Sequence, residues 1–159
     1  MFSALGKNNI NVKAISQGSS ERNITAVIDE KDVKKALNTL HERFFEKNIK
    51  QINLFIIGIG NVGSKLLNQI DQQSEYLKEK LKLKLRVIAI SNSKKMLFND
   101  SGINIKNYNS LIDNSEKANL ETFVSKAIKL NLRNSVFVDN TASSKIAESY
   151  KYFLKNNIN

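Results

Sequence analysis

Ile52-Asn53-Leu54-Phe55-Ile56-Ile57-Gly58-Ile59-Gly60-Asn61-Val62-Gly63 is a mostly apolar run that ends in three glycines spaced G-x-G-x-x-G. Helical spacing follows at once through Val62, Leu66, Leu67 and Ile70. Strand, glycine turn and helix in that order give this spacing a physical purpose. The first glycine permits a tight turn, the second lets backbone approach a pyrophosphate, and the third lets the helix pack on the strand. The helix start then offers unpaired N–H groups and a positive dipole end to phosphate. Gly58, Ile59, Gly60, Asn61, Val62 and Gly63 are therefore candidate dinucleotide contacts.

Downstream of this turn, strands and helices alternate. Leu85–Ile90 predicts the next strand, Leu120, Phe123, Val124, Ala127, Ile128 and Leu130 an amphipathic helix, and Ser135–Asp139 a third strand. Tyr108, Leu111 and Ile112 suggest a short helix in the otherwise irregular stretch 93–115. Ile146, Ala147, Tyr150, Phe153 and Leu154 predict a final helix, with residues 155–159 fraying beyond it. Strand, crossover helix and strand imply a parallel, right-handed unit. The fold class expected is α/β, an open parallel sheet with helices on both faces.

Ligands in such sheets lie outside the carboxyl ends of the strands. The second strand ends in Ser91-Asn92-Ser93-Lys94-Lys95, without the acid that would accept a ribose 2′-hydroxyl in an NAD site. Small polar groups and lysines suit a 2′-phosphate, so Asn92, Ser93 and Lys94 point to NADP in preference to NAD. The third strand runs into Asn140-Thr141-Ala142-Ser143-Ser144, which places Thr141, Ala142 and Ser143 near the nicotinamide half. Ser143 or Ser144 could equally cap the last helix.

Residues 1–45 follow a different plan. Met1–Lys7 suggests a helix end, Ile10–Ile15 and Asn23–Ile28 two antiparallel strands, and Val33, Ala36, Leu37, Leu40 and Phe44 a second helix capped by Asp29 or Asp32. Phe45 to Gln51 is a polar connector. The domain plan is thus 1–45, a linker at 46–51, and 52–159.

Composition narrows the function classes. The 159 residues carry a net charge of +10: nine basic and six acidic residues in 1–50, sixteen and nine in the remainder. The lysines are scattered, and the densest group (Lys78, Lys80, Lys82, Lys84, Arg86) has no interleaved aromatics, so nucleic acid is a poor fit. There is no cysteine for a disulfide or a thiolate zinc site. A single histidine, His41, provides no metal set. No run reaches the roughly 18 apolar residues of a membrane span, and no signal-peptide core opens the chain. The chain is expected to be cytoplasmic. No catalytic constellation emerges, because a proton carrier and a substrate anchor are both missing.

The words Asn9-Ile10-Asn11-Val12, Ile15-Ser16-Gln17-Gly18-Ser19-Ser20-Glu21 and Asn23-Ile24 resemble the second ACT domain of aspartokinases, here without its opening strand. An ACT end, a connector and F-I-I-G-I-G-N-V-G, followed by Ile90-Ser91-Asn92-Ser93-Lys94 and Val138-Asp139-Asn140-Thr141-Ala142-Ser143, resembles an internal piece of the bifunctional aspartokinase–homoserine dehydrogenases. That family often has Cys where Asn140 stands and Ser where Ala142 stands.

The resemblance implies a Rossmann-like domain, incomplete at its C-terminal end, preceded by a partial ACT block. It implies NADPH as cofactor, with NADH an alternative, and aspartate semialdehyde and homoserine as substrates of the full enzyme, a homo-oligomer. It implies threonine as effector, with Gln17 the candidate contact. Catalytic residues are expected beyond Asn159, which would leave this stretch inactive alone. The competing expectation is a non-catalytic module that senses NAD(P) or an amino acid.

Overall fold

The computed structural model describes residues 1–18, 23–44 and 49–159. The chain divides into two compact units, Met1–Asn48 and Ile49–Asn159.

The first unit contains α1 (Phe2–Lys7), β1 (Val12–Gln17), β2 (Ile24–Ile28) and α2 (Val33–Phe44), in the expected order. β1 and β2 pair antiparallel, with an irregularity between Val12 and Ala14. Leu5, Ile10 and Ala36 form a small core with Val12, Ile28 and Leu40 beside it. β1 starts at Val12, so Ile10 precedes the strand as a buried anchor. Asp29 does not cap α2: it pairs with Lys13 at 2.5 Å and sits before a 3-10 turn, Glu30–Asp32, without a side-chain cap bond. Ile15, Ile24, Val27 and Leu37 stay exposed. A two-stranded sheet buries too little to be stable by itself. Ser19, Ser20 and Glu21 lie outside the described residues, as does the 45–48 part of the connector.

The second unit holds β3 (Lys50–Ile57), α3 (Asn61–Lys80), β4 (Leu83–Ser91), β5 (Lys95–Phe98), α4 (Tyr108–Asp113), β6 (Glu116–Lys117), α5 (Leu120–Leu130), β7 (Ser135–Asp139), α6 (Ser144–Ala147) and α7 (Tyr150–Lys155). Lys50 and Gln51, read as connector, are already strand. The sheet order is β6-β5-β4-β3-β7. β3 pairs parallel with both β4 and β7, as the glycine turn and crossover helix require. The expectation of a wholly parallel sheet is corrected at one edge. β5 folds back on β4, and β6 on β5, both antiparallel. The turn that reverses the chain is fixed by Asn92, whose Oδ1 accepts from the backbone N–H of Lys94 and Lys95 at 2.8 and 2.7 Å.

β3 alternates between two cores. Leu54 and Ile56 face one with α3 (Leu67, Ile70) and α4 (Tyr108, Ile112). Phe55 and Ile57 face the other with α5 (Phe123, Ala127) and α7 (Phe153). A strand buried on both faces must be apolar at successive positions, which accounts for the run that opens the motif.

Two expectations near the C-terminus are corrected. The final helix is broken at Glu148–Ser149, where the buried Ser149 hydroxyl turns back to the Ile146 carbonyl at 2.6 Å. Residues 155–159 do not all fray. Ile158 is buried and bridges Ser135 in parallel, Phe137 N–H donates to Asn159 O at 2.7 Å, and Asn159 N–H donates to Ser135 O at 3.0 Å. An apolar side chain with a second core to enter overrides the polar context of its neighbours.

Candidate functional site

Each glycine of the fingerprint has its own physical reason. Gly58 has φ +89°, a left-handed conformation that disfavours a side chain. A Cβ there would also stand 2.8 Å from the Asn140 carbonyl carbon and from Thr141 Cγ2. At Gly63 a Cβ would fall 2.1 Å from the Gly58 carbonyl oxygen, so only glycine lets α3 sit this close to the turn. Gly60 differs: nothing lies within 4 Å of where its Cβ would be. Gly58 and Gly63 serve packing, whereas Gly60 leaves a clear face that nothing in the chain requires.

Backbone bonds from the neighbouring strands hold the turn. Gly58 and Ile59 N–H donate to Ser91 O at 2.8 and 3.3 Å, and Asn140 N–H donates to Ile57 O at 2.9 Å. α3 then begins with no side-chain cap and no acid in its first turn. Asn61 and Val62 are exposed there, Val62 at 66%. An uncapped helix start beside a bare glycine is the arrangement that receives phosphate.

A cleft of about 380 Å³ opens at the carboxyl ends of β3, β4 and β7. It brings together Gly58, Asn92, Ser93, Thr141 and Ser143 among the expected residues. Ile59 packs on the sheet core, and Gly63 is buried beneath the turn. Lys94 and Ala142 are exposed and do not line the cleft. Gln17 ends β1 in the other unit, exposed and opposite Ile24.

Ala118, Asn119, Leu120 and Phe123 also line the cleft, with Ile146 opposite. Sequence reasoning missed them as site residues. They arrive through the antiparallel β5 and β6, which carry the chain back past the cleft before α5, and no local motif marks that path. Asn119 caps α5 through its side chain, accepting from Thr122 N–H at 2.8 Å.

The end of β4 has a definite polarity. With Asn92 Oδ1 occupied by two backbone donors, its Nδ2 remains to donate. Lys95 is tied away, its Nζ donating to Ser115 O at 2.9 Å. Lys94 is exposed, and Lys117, opposite Lys95 across the β5–β6 pair, adds a further cation at this edge. The acid next to Lys117, Glu116, is paired with Lys126.

Asp139 ends β7. Its Oδ1 accepts from Thr141 N–H at 2.8 Å and its Oδ2 from the Tyr150 hydroxyl at 2.7 Å. Burial pushes its pKa up, but the hydrogen bonds from Tyr150 and Thr141 prevail and hold it below 3.8. The carboxylate is engaged in shaping the turn. Ser143 stands at the N-cap of α6 without a side-chain cap bond. Beside Gly63, the buried Asn140 Nδ2 has no hydrogen-bond partner. Among the described residues no cluster of His, Asp or Glu is arranged to hold a metal, and no helix is long and apolar enough to cross a membrane.

Residues 58–159 match the homoserine dehydrogenase NAD-binding domain, and residues 1–44 match the ACT domain. A bifunctional aspartokinase/homoserine dehydrogenase of Arabidopsis thaliana is 42% identical over 99% of this chain, which spans 17% of that protein. The enzyme of the same name from Buchnera aphidicola is 43% identical over 99% of the chain and 19% of its own length. The chain thus spans about a fifth of the curated relatives it matches. The crystal structure of homoserine dehydrogenase from Thermoplasma acidophilum overlays with a TM-score of 0.53 at 20% identity, covering 69% of this chain and 34% of that one, a likeness of fold.

Proposed function

Because the chain belongs to the homoserine dehydrogenase NAD-binding-domain family, we propose that it holds NADP(H) and forms the cofactor-binding portion of an enzyme interconverting aspartate semialdehyde and homoserine. The carrying observation is the exposed face of Gly60 at the uncapped start of α3, where nothing stands within 4 Å of the place a Cβ would take. Backbone N–H groups of Asn61, Val62 and Gly63 suit the pyrophosphate. Thr141 and Ser143 suit the nicotinamide end, with Ala142 on the same turn.

NADP is favoured over NAD by the donor-rich end of β4. Asn92 Nδ2, the Ser93 hydroxyl and the Lys94 ammonium suit a 2′-phosphate, and Lys117 adds charge nearby. An acid at this edge would instead accept a ribose hydroxyl. When bound, the cofactor supplies the hydride. This chain's residues orient the cofactor, and none of them carries protons to a substrate.

The stretch is inactive alone in this proposal, with catalytic groups supplied by parts of the relatives that it does not span. Those whole-protein features include homo-oligomeric assembly and threonine control through residues 1–45 with Gln17 as a contact. The linker at 46–51, the dinucleotide domain at 52–159 and a cytoplasmic location complete the proposal; the Arabidopsis relative is named as chloroplastic.

Calorimetric titration with NADPH and NADH tests it. Saturable NADPH binding, weaker NADH binding and no homoserine oxidation are expected. Asn92→Asp should lower NADPH affinity by about tenfold while sparing NADH, because a carboxylate oxygen in place of Nδ2 would face the phosphate. No saturable NADPH binding at millimolar ligand would remove the proposal.

A further inference from the structure

We propose that Tyr150 is a positioning residue for the cofactor cleft: from outside the cleft, its phenol holds Asp139 and, through it, the turn that forms one cleft wall. The inference rests on the cofactor proposal above. Tyr150 does not line the cleft, whereas Thr141 and Ser143 do.

Three hydrogen bonds run from one to the other. The Tyr150 hydroxyl donates to Asp139 Oδ2 at 2.7 Å. Asp139 Oδ1 accepts from Thr141 N–H at 2.8 Å. Thr141 Oγ1 in turn accepts from Ser143 N–H at 3.3 Å. Thr141 also meets the glycine turn directly, since its Cγ2 stands 2.8 Å from where a Cβ on Gly58 would be. The path therefore links an exposed tyrosine to both walls of the cleft.

The carboxylate explains why the phenol matters. With both oxygens engaged, Asp139 has one orientation, and the Thr141 amide is held against it. Without the phenol, Oδ2 faces solvent, and rotation about the terminal side-chain torsion costs little. Residues 140–143 belong to no helix or strand. They depend on such side-chain bonds for their shape.

The tyrosine ring is anchored independently of its hydroxyl. It packs edge-on against Phe137, with centroids 5.9 Å apart, and Phe137 stacks on Phe153 at 4.1 Å. Tyr150→Phe therefore removes the hydrogen bond and leaves the packing. In the sequence Tyr150 is one apolar member of a helical pattern, and nothing there marks its hydroxyl.

The test uses the full 159-residue chain. Tyr150→Phe is expected to speed hydrogen exchange at the Thr141 amide and to weaken NADPH binding by about tenfold, because the loosened turn has to be ordered again on binding. The unfolding midpoint should move little. Because the phenol acts through Asp139, adding Tyr150→Phe to Asp139→Ala should cost less than about twofold more affinity. Unchanged Thr141 exchange in Tyr150→Phe overturns the proposal. So does unchanged NADPH affinity, or a double variant whose losses multiply. If Asp139→Ala does not fold, Thr141 exchange and affinity in Tyr150→Phe decide alone. Wild-type chain that binds no NADPH would instead sink the cofactor proposal.

Discussion

At one end of the central sheet Asn53, 1% exposed, meets every group it faces; at the other, Gly60 has nothing near it and Asn140 Nδ2 has no partner. Asn53 Oδ1 accepts from Arg86 Nε at 2.9 Å and Gln51 Nε2 at 3.2 Å, its Nδ2 donates to Arg133 O at 2.7 Å, and its N–H donates to Asn134 O at 2.9 Å. Asn134 Nδ2 returns to Gln51 O at 3.0 Å. The amino ends of β3, β4 and β7 are thereby locked together. Their carboxyl ends carry small residues, a positive-φ glycine and a bare helix start. Stability is concentrated at one end, and capacity for a ligand is left at the other.

Substitutions can break that division. The largest loss is expected from Gly63→Ala, where the new Cβ would overlap the Gly58 carbonyl: about 3 kcal/mol or more in urea unfolding, because backbone has to move. Asn53→Ala should cost about 3 kcal/mol by the same measurement, since it strands buried donors and acceptors at the locked end. Cofactor affinity at the far end should survive in whatever fraction stays folded.

Gly60→Ala sharpens the comparison. Its unfolding free energy should fall by no more than about 1 kcal/mol, the usual cost of alanine at a helix N-cap. NADPH affinity, measured by calorimetry, should fall by about tenfold or more, because the methyl group enters the space for phosphate. Equal affinity in this variant would mean that the open face is incidental.

The smallest effect is a pH dependence. Asp139 has its pKa held below 3.8 in the fold, so its bond with Tyr150 contributes stability at neutral pH that is lost as pH falls through that lowered value. Tyr150 is raised above 10.0 by its hydrogen bond to Asp139, so its contribution holds below 10.0 and is lost as pH rises through the raised value. The difference in unfolding midpoint between wild type and Tyr150→Phe should be small and flat at neutral pH and vanish in strong acid.

The locked end and the open end differed in how well the sequence revealed them. Gly58, Gly60 and Gly63 announce themselves because their spacing is local. The β3 run and the β7 end were equally plain, as apolar stretches bounded by turn residues. The β5 and β6 pairing was hidden, since Lys95–Phe98 and Glu116–Lys117 are too short for a period to show. Hidden with it were Ala118, Leu120 and Phe123 as cleft residues, whose place depends on that return path. Ile158 was lost among asparagines because its burial depends on β7, over twenty residues earlier. Asn53 reads as a lone polar residue in a strand, and most of its partners come from β4 and the loop before β7.

One pair of titrations bears most directly on the claim that the glycine end is built for a dinucleotide. NADPH is titrated into the wild-type chain and into Gly60→Ala, with unfolding free energies measured alongside. The account predicts saturable binding by wild type, at least about tenfold weaker binding by the variant, and unfolding free energies within about 1 kcal/mol of each other. Two folded proteins that bind NADPH equally, or not at all, would contradict it.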